Sequence, residues 1–333
     1  MGETMNQSIL MIARSVVMAV LVAMIVPGRA WGAESYPARP IRLVVPFPPG
    51  GGNDTMGRIV ADRLTHSLGQ RVVVDNRGGA GGMVGTTEVI KAPPTGYTLL
   101  LGHTGSLAIT PHLYPNANYD PRRDLTPVGM IGRIPLVMVT HSQAPVKTVK
   151  ELINLARIAP GKLNFGSGAP GSWAHLAAEL FLHTAGIKLG HVPYKGTAPS
   201  VIGLLSREVD VVFSVVPPVR GHIEAGTLRA LALTSPERLP QLPGVPTVAE
   251  EGLAGFEAVL NYGLVGPVGM PVDVIKKLNG RLNALLEADD VRNIMVNDGV
   301  TTQSGTPAQY KAVITSDFEK WGEVIRRAGI KVD

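Results

Sequence analysis

The sequence predicts an α/β protein with two similar lobes, and three observations lead to this prediction. A strand, a glycine turn and a helix follow one another over residues 41–68, and the same order returns over residues 162–186. Two apolar stretches, 134–140 and 258–265, are suited to carry the chain from one lobe to the other and back. Strands that alternate with helices form largely parallel sheets covered by helices. We therefore expect two doubly wound sheets joined by two crossing strands.

The composition is that of a folded protein without disulfides. The 333 residues are 45% hydrophobic and 17% charged, which argues against disorder and leaves room for two domains. The formal net charge is +5, but Lys and Arg are scattered and aromatic residues make up only 5%, which excludes the interleaved basic and aromatic pattern of single-strand nucleic-acid binders. The sequence has no cysteine, so disulfides, a lipoprotein anchor, thiolate metal sites and a cysteine nucleophile are excluded.

The N-terminal residues 1–33 have the pattern of a secretory signal peptide. Arg14 precedes an apolar run, 15–26, that is shorter than the ~20 residues needed to span a bilayer. A proline and a glycine at 27–28 break this run ahead of small residues, so we expect cleavage within 30–33 and export of the mature protein. An uncleaved interfacial or membrane anchor is the alternative that the same pattern allows.

The first glycine turn, residues 49–55, is typical of an anion site. It joins the β-branched run 41–45 to a helical pattern over 56–68, and its consecutive glycines let the backbone approach a ligand closely. Asn53 or Asp54 can cap the helix, whose first N–H groups then point at whatever lies in front of them. An ordinary glycine-rich turn is the alternative interpretation of this stretch alone.

The alternation of strand and helix continues after each turn. In the second lobe the turn is the small-residue loop 166–172, and the helix that follows, 173–185, starts at Ser172 as its cap and ends at Gly186. The periodicity predicts further strands at 71–75, 97–101, 191–194 and 209–216 and further helices at 83–91 and 199–207. Each lobe thus presents a glycine-containing turn and a helix N-terminus at the carboxyl edge of its sheet.

The two crossing stretches divide the mature chain. A helix is predicted at 148–156 beyond the first crossing, and beyond the second crossing helices are predicted at 272–287, 290–298 and 307–328. We assign residues 34–139 and 257–333 to lobe 1 and residues 140–256 to lobe 2. A double crossing acts as a hinge, which places the ligand cleft between the lobes.

Short motifs occur in a fixed order along the mature chain. They include Val45-Pro46-Phe47 with Pro49-Gly50-Gly51 and Asp54, Gly96-Tyr97-Thr98-Leu99-Leu100, Pro160-Gly161-Lys162-Leu163, and Val192-Pro193-Tyr194-Lys195-Gly196. In order and sequence they resemble the Bug receptors, which are periplasmic substrate-binding proteins of bacterial tripartite tricarboxylate transporters. The resemblance implies a location in the periplasm and two α/β lobes that close like a flytrap over a small organic acid. The partners it implies are a mono- or dicarboxylate and the membrane components of such a transporter.

The resemblance also implies where the acid binds. In that family, backbone groups and waters of the first-lobe turn and of the second-lobe glycine loop hold a carboxylate. Each of two helix N-termini that face one anion stabilises it by about 0.3–1 kcal/mol near a surface. The residues expected at the site are Pro49, Gly50, Gly51, Gly52, Asn53, Asp54, Thr55, Thr104, Ser106, Ser167, Gly168, Ala169, Gly171, Ser172, His175, Lys195 and Ser214.

Several of these residues have an alternative, structural role. We expect Asp54, which would repel an anion, to cap the helix or to order water rather than to touch the acid. Thr104 and Ser106 can donate to a carboxylate or bond to their own backbone. His175 either reaches the cleft or makes a structural hydrogen bond.

Three further positions concern the walls of the cleft. Lys195 is a candidate anion partner, although most such lysines are solvated. Trp173 can stack on an aromatic ligand or pack in the core at the start of its helix. At Ser214, where many members of the family carry an acidic or amide residue, the sequence continues with apolar residues. That departure favours a less polar acid over an amino-dicarboxylic one.

The leading hypothesis is a monomeric binding protein with no catalytic residue, metal or cofactor. An exported hydrolase or transferase with a loop serine is the enzyme alternative, but Ser106, Ser167 and Ser172 lack the Gly-x-Ser-x-Gly elbow. The 8 histidines are dispersed and form no His-Glu-x-x-His cluster. A receptor that acts on a sensor protein instead of a transporter remains open, whereas nucleic acid is not an expected partner.

Overall fold

The structure, a computed structural model, describes residues 36–332. The predicted signal peptide, residues 1–33, lies outside this range. The elements below all belong to the compact unit that begins at Arg39. Within the described residues, no helix combines the length and the apolar character required to cross a membrane.

The first of two sheets is mixed and has six strands. They are β1 (Ile41–Val45), β2 (Val72–Asn76), β3 (Thr98–His103), β4 (Leu125–Pro135), β10 (Val259–Pro267) and β11 (Thr301–Thr302). Their order across the sheet is β11-β4-β10-β3-β1-β2. β1 is parallel to β2 and β3, whereas β10 is antiparallel to β3 and β4.

The second sheet is also mixed and has five strands. They are β5 (Val137–His141), β6 (Asn164–Ser167), β7 (Gly190–Pro193), β8 (Val211–Ser214) and β9 (Leu228–Leu233), in the order β7-β6-β8-β5-β9. β6 is parallel to β7 and β8, and β5 is antiparallel to β8 and β9. Each sheet therefore holds one parallel three-stranded half, as the repeat predicted, and the two halves also share the same strand order. Antiparallel strands extend both halves, so neither sheet is doubly wound throughout.

The helices cover the faces and ends of the sheets. They are α1 (Gly52–Leu68), α2 (Met83–Ile90), α3 (Thr110–Leu113), α4 (Pro121–Asp124), α5 (Val149–Ile158), α6 (Trp173–Ala185), α7 (Thr197–Leu205), α8 (Val216–Glu224), α9 (Val272–Glu287), α10 (Asp289–Asn297) and α11 (Pro307–Ala328). α1 and α6 both end at a glycine in the left-handed conformation, Gly69 and Gly186, as predicted. Both helices start directly after a loop at the carboxyl end of a strand.

The two points at which the chain changes sheets are bonded to each other through Thr234. Leu136 lies between β4 and β5, and Ala258 lies just before β10. The Thr234 hydroxyl accepts a hydrogen bond from the Leu136 N–H at 2.7 Å and donates to the Ala258 carbonyl at 2.6 Å. Val137–His141 pairs in the second sheet, so the change of sheets precedes the expected lobe boundary at 139/140. The apolar run 134–140 is continuous, so the sequence contains no signal for the residue at which the chain passes from the first sheet to the second.

The C-terminal helix α11 packs against both sheets. Tyr310 and Ile314, in its first half, belong to the core that surrounds β1, β3 and β10. Trp321 and Ile325, in its second half, belong to the core that surrounds α6 and the second sheet. Trp321 also meets Trp173 edge-on, with 4.8 Å between the ring centroids. One helix therefore links the apolar interiors of both halves of the molecule.

Candidate ligand-binding site

A cavity of about 350 Å³ lies between the loops of the two sheets. From the first sheet it is lined by α1, by β10 and by the loop after β3, and from the second sheet by the loop that leads into α6. The lining residues are Phe47, Asn53, Gly81, His103, Gly105, Ile109, Thr110, Leu113, Tyr114, Ala169, Pro170, Gly171, Ser172, Trp173, Leu260 and Val332. Across the described residues, no group of three or more histidine, aspartate or glutamate side chains lies close enough together to hold a metal ion.

Both of the predicted glycine-containing loops reach this cavity. Asn53, Ala169, Gly171 and Ser172 are the predicted site residues that line it. The exposed residues 49–52 run directly into Asn53, so the first turn lies at the rim of the cavity. Trp173 lines the cavity and also meets Trp321 in the core, so core packing is confirmed, while stacking on an aromatic ligand stays a prediction.

The start of α1 has no side-chain cap. Its N-cap is Gly51, so the prediction that Asn53 or Asp54 caps the helix was wrong. Instead, the Asp54 carboxylate accepts hydrogen bonds from the Gly50 N–H at 2.9 Å and from Arg58 Nε at 3.0 Å. The hydrogen bond from Arg58 lowers the pKa of Asp54, so the buried carboxylate stays charged while it holds the turn. The first N–H groups of the helix, which no side chain caps, are available to an anion.

Asn53 is held in one orientation by Tyr262. The Tyr262 hydroxyl donates to Asn53 Oδ1 at 2.7 Å. Burial raises the pKa of Tyr262, so the hydroxyl keeps its proton and serves as the donor. With its oxygen engaged, Asn53 presents its Nδ2 amide hydrogens to other partners at the cavity wall.

Thr104 and Ser106 face the protein interior rather than the cavity. Thr104 Oγ1 donates to Asp317 Oδ2 at 2.7 Å and accepts from the Asn261 N–H at 2.9 Å. Ser106 Oγ exchanges hydrogen bonds with the backbone of His103. The reason is local geometry, because residues 105–109 wind into a π-helical turn directly after β3.

His103, the last residue of β3, and Gly105, the first residue of the turn, lie on the cavity wall, although neither was a predicted site residue. The His103 ring stacks on Phe47, with 4.8 Å between centroids, and lies 5.2 Å from the Tyr262 ring. Its Nδ1 accepts a hydrogen bond from the Gly105 N–H at 2.8 Å. Burial lowers the pKa of His103 to about 3, so the ring is neutral at physiological pH and carries its hydrogen on Nε2. That nitrogen has no hydrogen-bond partner among residues 36–332.

The second loop is held mainly by its own hydrogen bonds. Ser172 caps α6, as predicted, with its hydroxyl accepting the His175 N–H at 3.4 Å. His175 Nδ1 in turn accepts the Gly171 N–H at 3.0 Å, so His175 fastens the loop that lines the cavity and does not itself line it. Ser167 Oγ donates to the Ala169 carbonyl at 3.0 Å and lies 2.7 Å from His191 Nε2.

The remaining predicted site residues lie away from the cavity lining. Gly168 uses its carbonyl to accept the Gly196 N–H at 2.8 Å. Lys195 is exposed to solvent. Ser214 is fully buried, and its hydroxyl donates to the Val215 carbonyl at 2.9 Å. Thr55 is exposed on the first turn of α1.

The apolar part of the lining comes from positions that carry no sequence signal for a site. Ile109, Leu113, Leu260 and Val332 are separated by up to two-thirds of the chain and meet only in the fold. Phe47 also lines the cavity, and it belongs to the Val45-Pro46-Phe47 motif shared with the Bug receptors.

Stability is expected to fall on acidification because of His103. The unfolded chain binds a proton near pH 6.5, whereas the folded chain resists protonation until about pH 3. Stability is therefore complete above pH 6.5 and declines as the pH falls toward 3. Between pH 7.5 and 4.5, we expect this residue to lower the unfolding free energy by about 3 kcal/mol.

Urea unfolding of ligand-free protein at the two pH values measures this effect. His103→Gln, which does not titrate, should lose about 3 kcal/mol less than the unmodified protein. His66→Gln, at a side chain that is 77% exposed, serves as the control and should behave like the unmodified protein. An equal loss in His103→Gln and the unmodified protein would contradict the assignment.

Comparisons with known proteins agree on one family. The family described as "Tripartite tricarboxylate transporter family receptor" (TctC) matches residues 56–330. Two relatives are each 40% identical to this chain. The "UPF0065 protein in tcbD-tcbE intergenic region" of Pseudomonas sp. (strain P51) matches over 89% of this chain and 88% of its own length. Protein BugT of Bordetella pertussis matches over 90% of this chain and 92% of its own length.

Solved structures of similar proteins have the same fold. Rpa4515 of R. palustris, described with adipate, has a TM-score of 0.75 and 35% identity, over 89% of this chain and 99% of that protein. MatC from Rhodopseudomonas palustris, described with bound malate, has a TM-score of 0.71 and 29% identity, over 87% of this chain and 100% of that protein. The periplasmic binding protein BugD has a TM-score of 0.71 and 34% identity, over 89% of this chain and 99% of that protein. The predicted two-lobed α/β fold and the family resemblance are confirmed, and the chain belongs to the tripartite tricarboxylate transporter receptor family, whose members are solute-binding receptors and not enzymes.

Proposed function

We propose that this chain is a periplasmic receptor that captures a small organic acid between its two lobes and delivers it to a membrane transporter of the tripartite tricarboxylate type. The observation that carries the proposal is a cavity between two loops, one of which starts a helix without a side-chain cap. Uncapped N–H groups and the helix dipole favour a carboxylate at that place. The similar proteins described with adipate and malate support the same ligand class.

In this proposal, residues 50–53 form one side of the site and residues 169–172 form the other. The carboxylate accepts hydrogen bonds from the first turn of α1 and from Asn53 Nδ2. One lobe consists of residues up to 136 and from 258 onward, and the other consists of residues 137–257, with the hinge at the two crossings that Thr234 joins. The protein works as a monomer after removal of its signal peptide. Closure of the lobes over the acid stabilises the liganded state.

Thermal unfolding of ligand-free mature protein tests acid capture. We expect a small carboxylate to raise the unfolding temperature, because a ligand at 100 times its Kd adds about 2.7 kcal/mol of stability. Sugars and amines at the same concentration should cause no shift. If no member of a broad panel of carboxylates raises the unfolding temperature, acid capture is wrong.

Delivery needs a separate measurement. Uptake of the radiolabelled acid is compared in cells with and without this protein, in the presence of the transporter membrane components. Uptake that depends on both supports delivery. Binding in the purified protein without any change in uptake would instead favour the sensor alternative.

A further inference from the structure

A second cavity lies beside the cavity of about 350 Å³, which we call the ligand cavity, and the two share part of their lining. This outer groove, of about 570 Å³, is formed by the end of α3, by the second half of α11 and by residues 329–332, which follow α11. Leu113 and Val332 line both the outer groove and the ligand cavity. Since these two residues have surface on both sides, the partition between the two spaces is one side chain thick.

Val332 reaches the partition because the chain turns back at the end of α11. Gly329 ends this helix in the left-handed conformation, with φ 63°, and the Ile330 N–H then bonds to the Ile325 carbonyl at 3.2 Å. Ile330 and Val332 are partly buried and pack against the apolar core around α6. Side-chain packing therefore holds Val332 in place, and the size of its side chain determines how much of the partition it fills.

Leu113 and the loop of the second sheet complete the partition. Leu113 is the last residue of α3 and is buried. The Gly171 backbone lies directly against the pair, since a Cβ atom added at Gly171 would be 2.7 Å from Leu113 Cδ1 and 3.2 Å from Val332 Cγ1. Contacts this close leave no passage between the loop and the two side chains. A ligand in the cavity is therefore separated from the outer groove by Leu113 and Val332.

The two spaces differ in charge. None of the described residues that line the ligand cavity is Asp, Glu, Lys or Arg. The outer groove has Arg326 and Lys331, and its described lining includes no Asp or Glu. The far carboxylate of a long dicarboxylate would meet these cations only beyond the partition. With the partition in place, an acid held between the two loops is confined to the uncharged space.

We propose that Leu113 and Val332 determine the length of the acid that the site accepts. The proposal rests on the acid-binding function proposed above and adds the residues that set its specificity. An acid that ends at the partition keeps its apolar part in contact with the two side chains, and this contact contributes to affinity. A longer acid has to displace side chains that are packed against the Gly171 backbone, so its affinity is lower.

Two series of acids measure the length limit. The first is butanoate, hexanoate, octanoate and decanoate, and the second is succinate, adipate, suberate and sebacate. They are titrated calorimetrically into mature protein that has been unfolded and refolded to remove bound ligand. If the thermal panel identifies a different carboxylate, its homologues lengthened by methylene groups replace these series. In the unmodified protein, we expect affinity to fall at least about tenfold from the longest acid that fits to the next one.

Val332→Ala and Leu113→Ala, which leave space in the partition, should move this fall to a longer acid of the same series. Short acids should bind both variants with nearly unchanged affinity. Val313→Ala is the matched control, because Val313 is a partly buried valine of α11 that lines neither space. We expect this control to keep the length limit of the unmodified protein.

Two results would overturn the role of the partition while leaving acid binding intact. One is an unchanged length limit in folded Val332→Ala, and the other is an unmodified protein whose affinity falls at no length. Failure of every carboxylate to bind the unmodified protein would instead remove the acid-binding function itself. Val332 is only partly buried, so Val332→Ala carries the test if Leu113→Ala does not fold.

Discussion

Replacing Gly51 by valine is expected to weaken acid binding by at least about 100-fold while leaving the fold intact. Gly51 is the N-cap of α1 and has an extended backbone, with φ −93° and ψ 173°, which valine adopts readily. A side chain added there meets no atom within 4 Å in the folded protein. It would occupy the space through which a carboxylate reaches the first N–H groups of the helix, and each hydrogen bond to a charged group contributes about 1.5–3 kcal/mol.

Calorimetric titration gives the affinity of Gly51→Val, and circular dichroism checks its fold. Gly280→Val is the matched control, because Gly280 is exposed on α9 and an added side chain there also meets nothing within 4 Å. We expect the control to bind like the unmodified protein. Equal affinities in the two variants would place the acid away from the first glycine turn.

Replacing Thr234 by valine is expected to lower the unfolding free energy by about 2–5 kcal/mol, since removal of one hydroxyl leaves two buried backbone groups without a partner at about 1–3 kcal/mol each. The hydroxyl bonds to the Leu136 N–H and the Ala258 carbonyl, and all three residues are at most 2% exposed. Valine has nearly the same shape as threonine, so little packing is lost. Urea unfolding of the two proteins measures the difference.

Thr140→Val separates this effect from the general effect of removing a buried hydroxyl. Thr140 is also fully buried, but its hydroxyl has no hydrogen-bond partner in the part of the chain that the structure describes. We expect Thr140→Val to leave stability unchanged or to raise it, and Thr234→Ser to retain most of the original stability. A loss in Thr140→Val as large as that in Thr234→Val would show that the bonds at the crossing are not the cause.

Periodic sequence patterns were sufficient to locate most helices. The predicted bounds of α6, α9 and α11 agree with the structure, because each helix has a regular apolar stripe and a clear signal at its start or end. α1 begins four residues earlier than its apolar pattern, since its first turn contains Gly52, Asn53 and Asp54, none of which adds to a stripe. Because the helix starts earlier than this pattern indicates, Asn53 and Asp54 lie inside its first turn and not at the cap position.

Contacts between segments that are distant in the chain could not be predicted from local sequence patterns. β10 was expected only as a crossing strand, but it lies in the middle of the first sheet between β3 and β4. Its place in the sheet depends on pairing with strands that are distant in sequence, which a local pattern does not indicate. Thr104 was selected by residue type, yet its partner Asp317 is 213 residues away. The apolar residues of the cavity lining also come from segments that are distant in sequence. The loops at the cavity were therefore predictable from local patterns, whereas the apolar walls were not.

The position of β10 determines the order in which the two sheets can be completed. The second sheet uses one continuous segment, from Val137 to Leu233, and needs no residue outside that segment to pair its strands. The first sheet has β10 between β3 and β4, so β1–β3 can pair with one another but join β4 only through a segment more than 120 residues farther along the chain. During synthesis from the N-terminus, the half of the molecule that emerges second is therefore able to complete its sheet first.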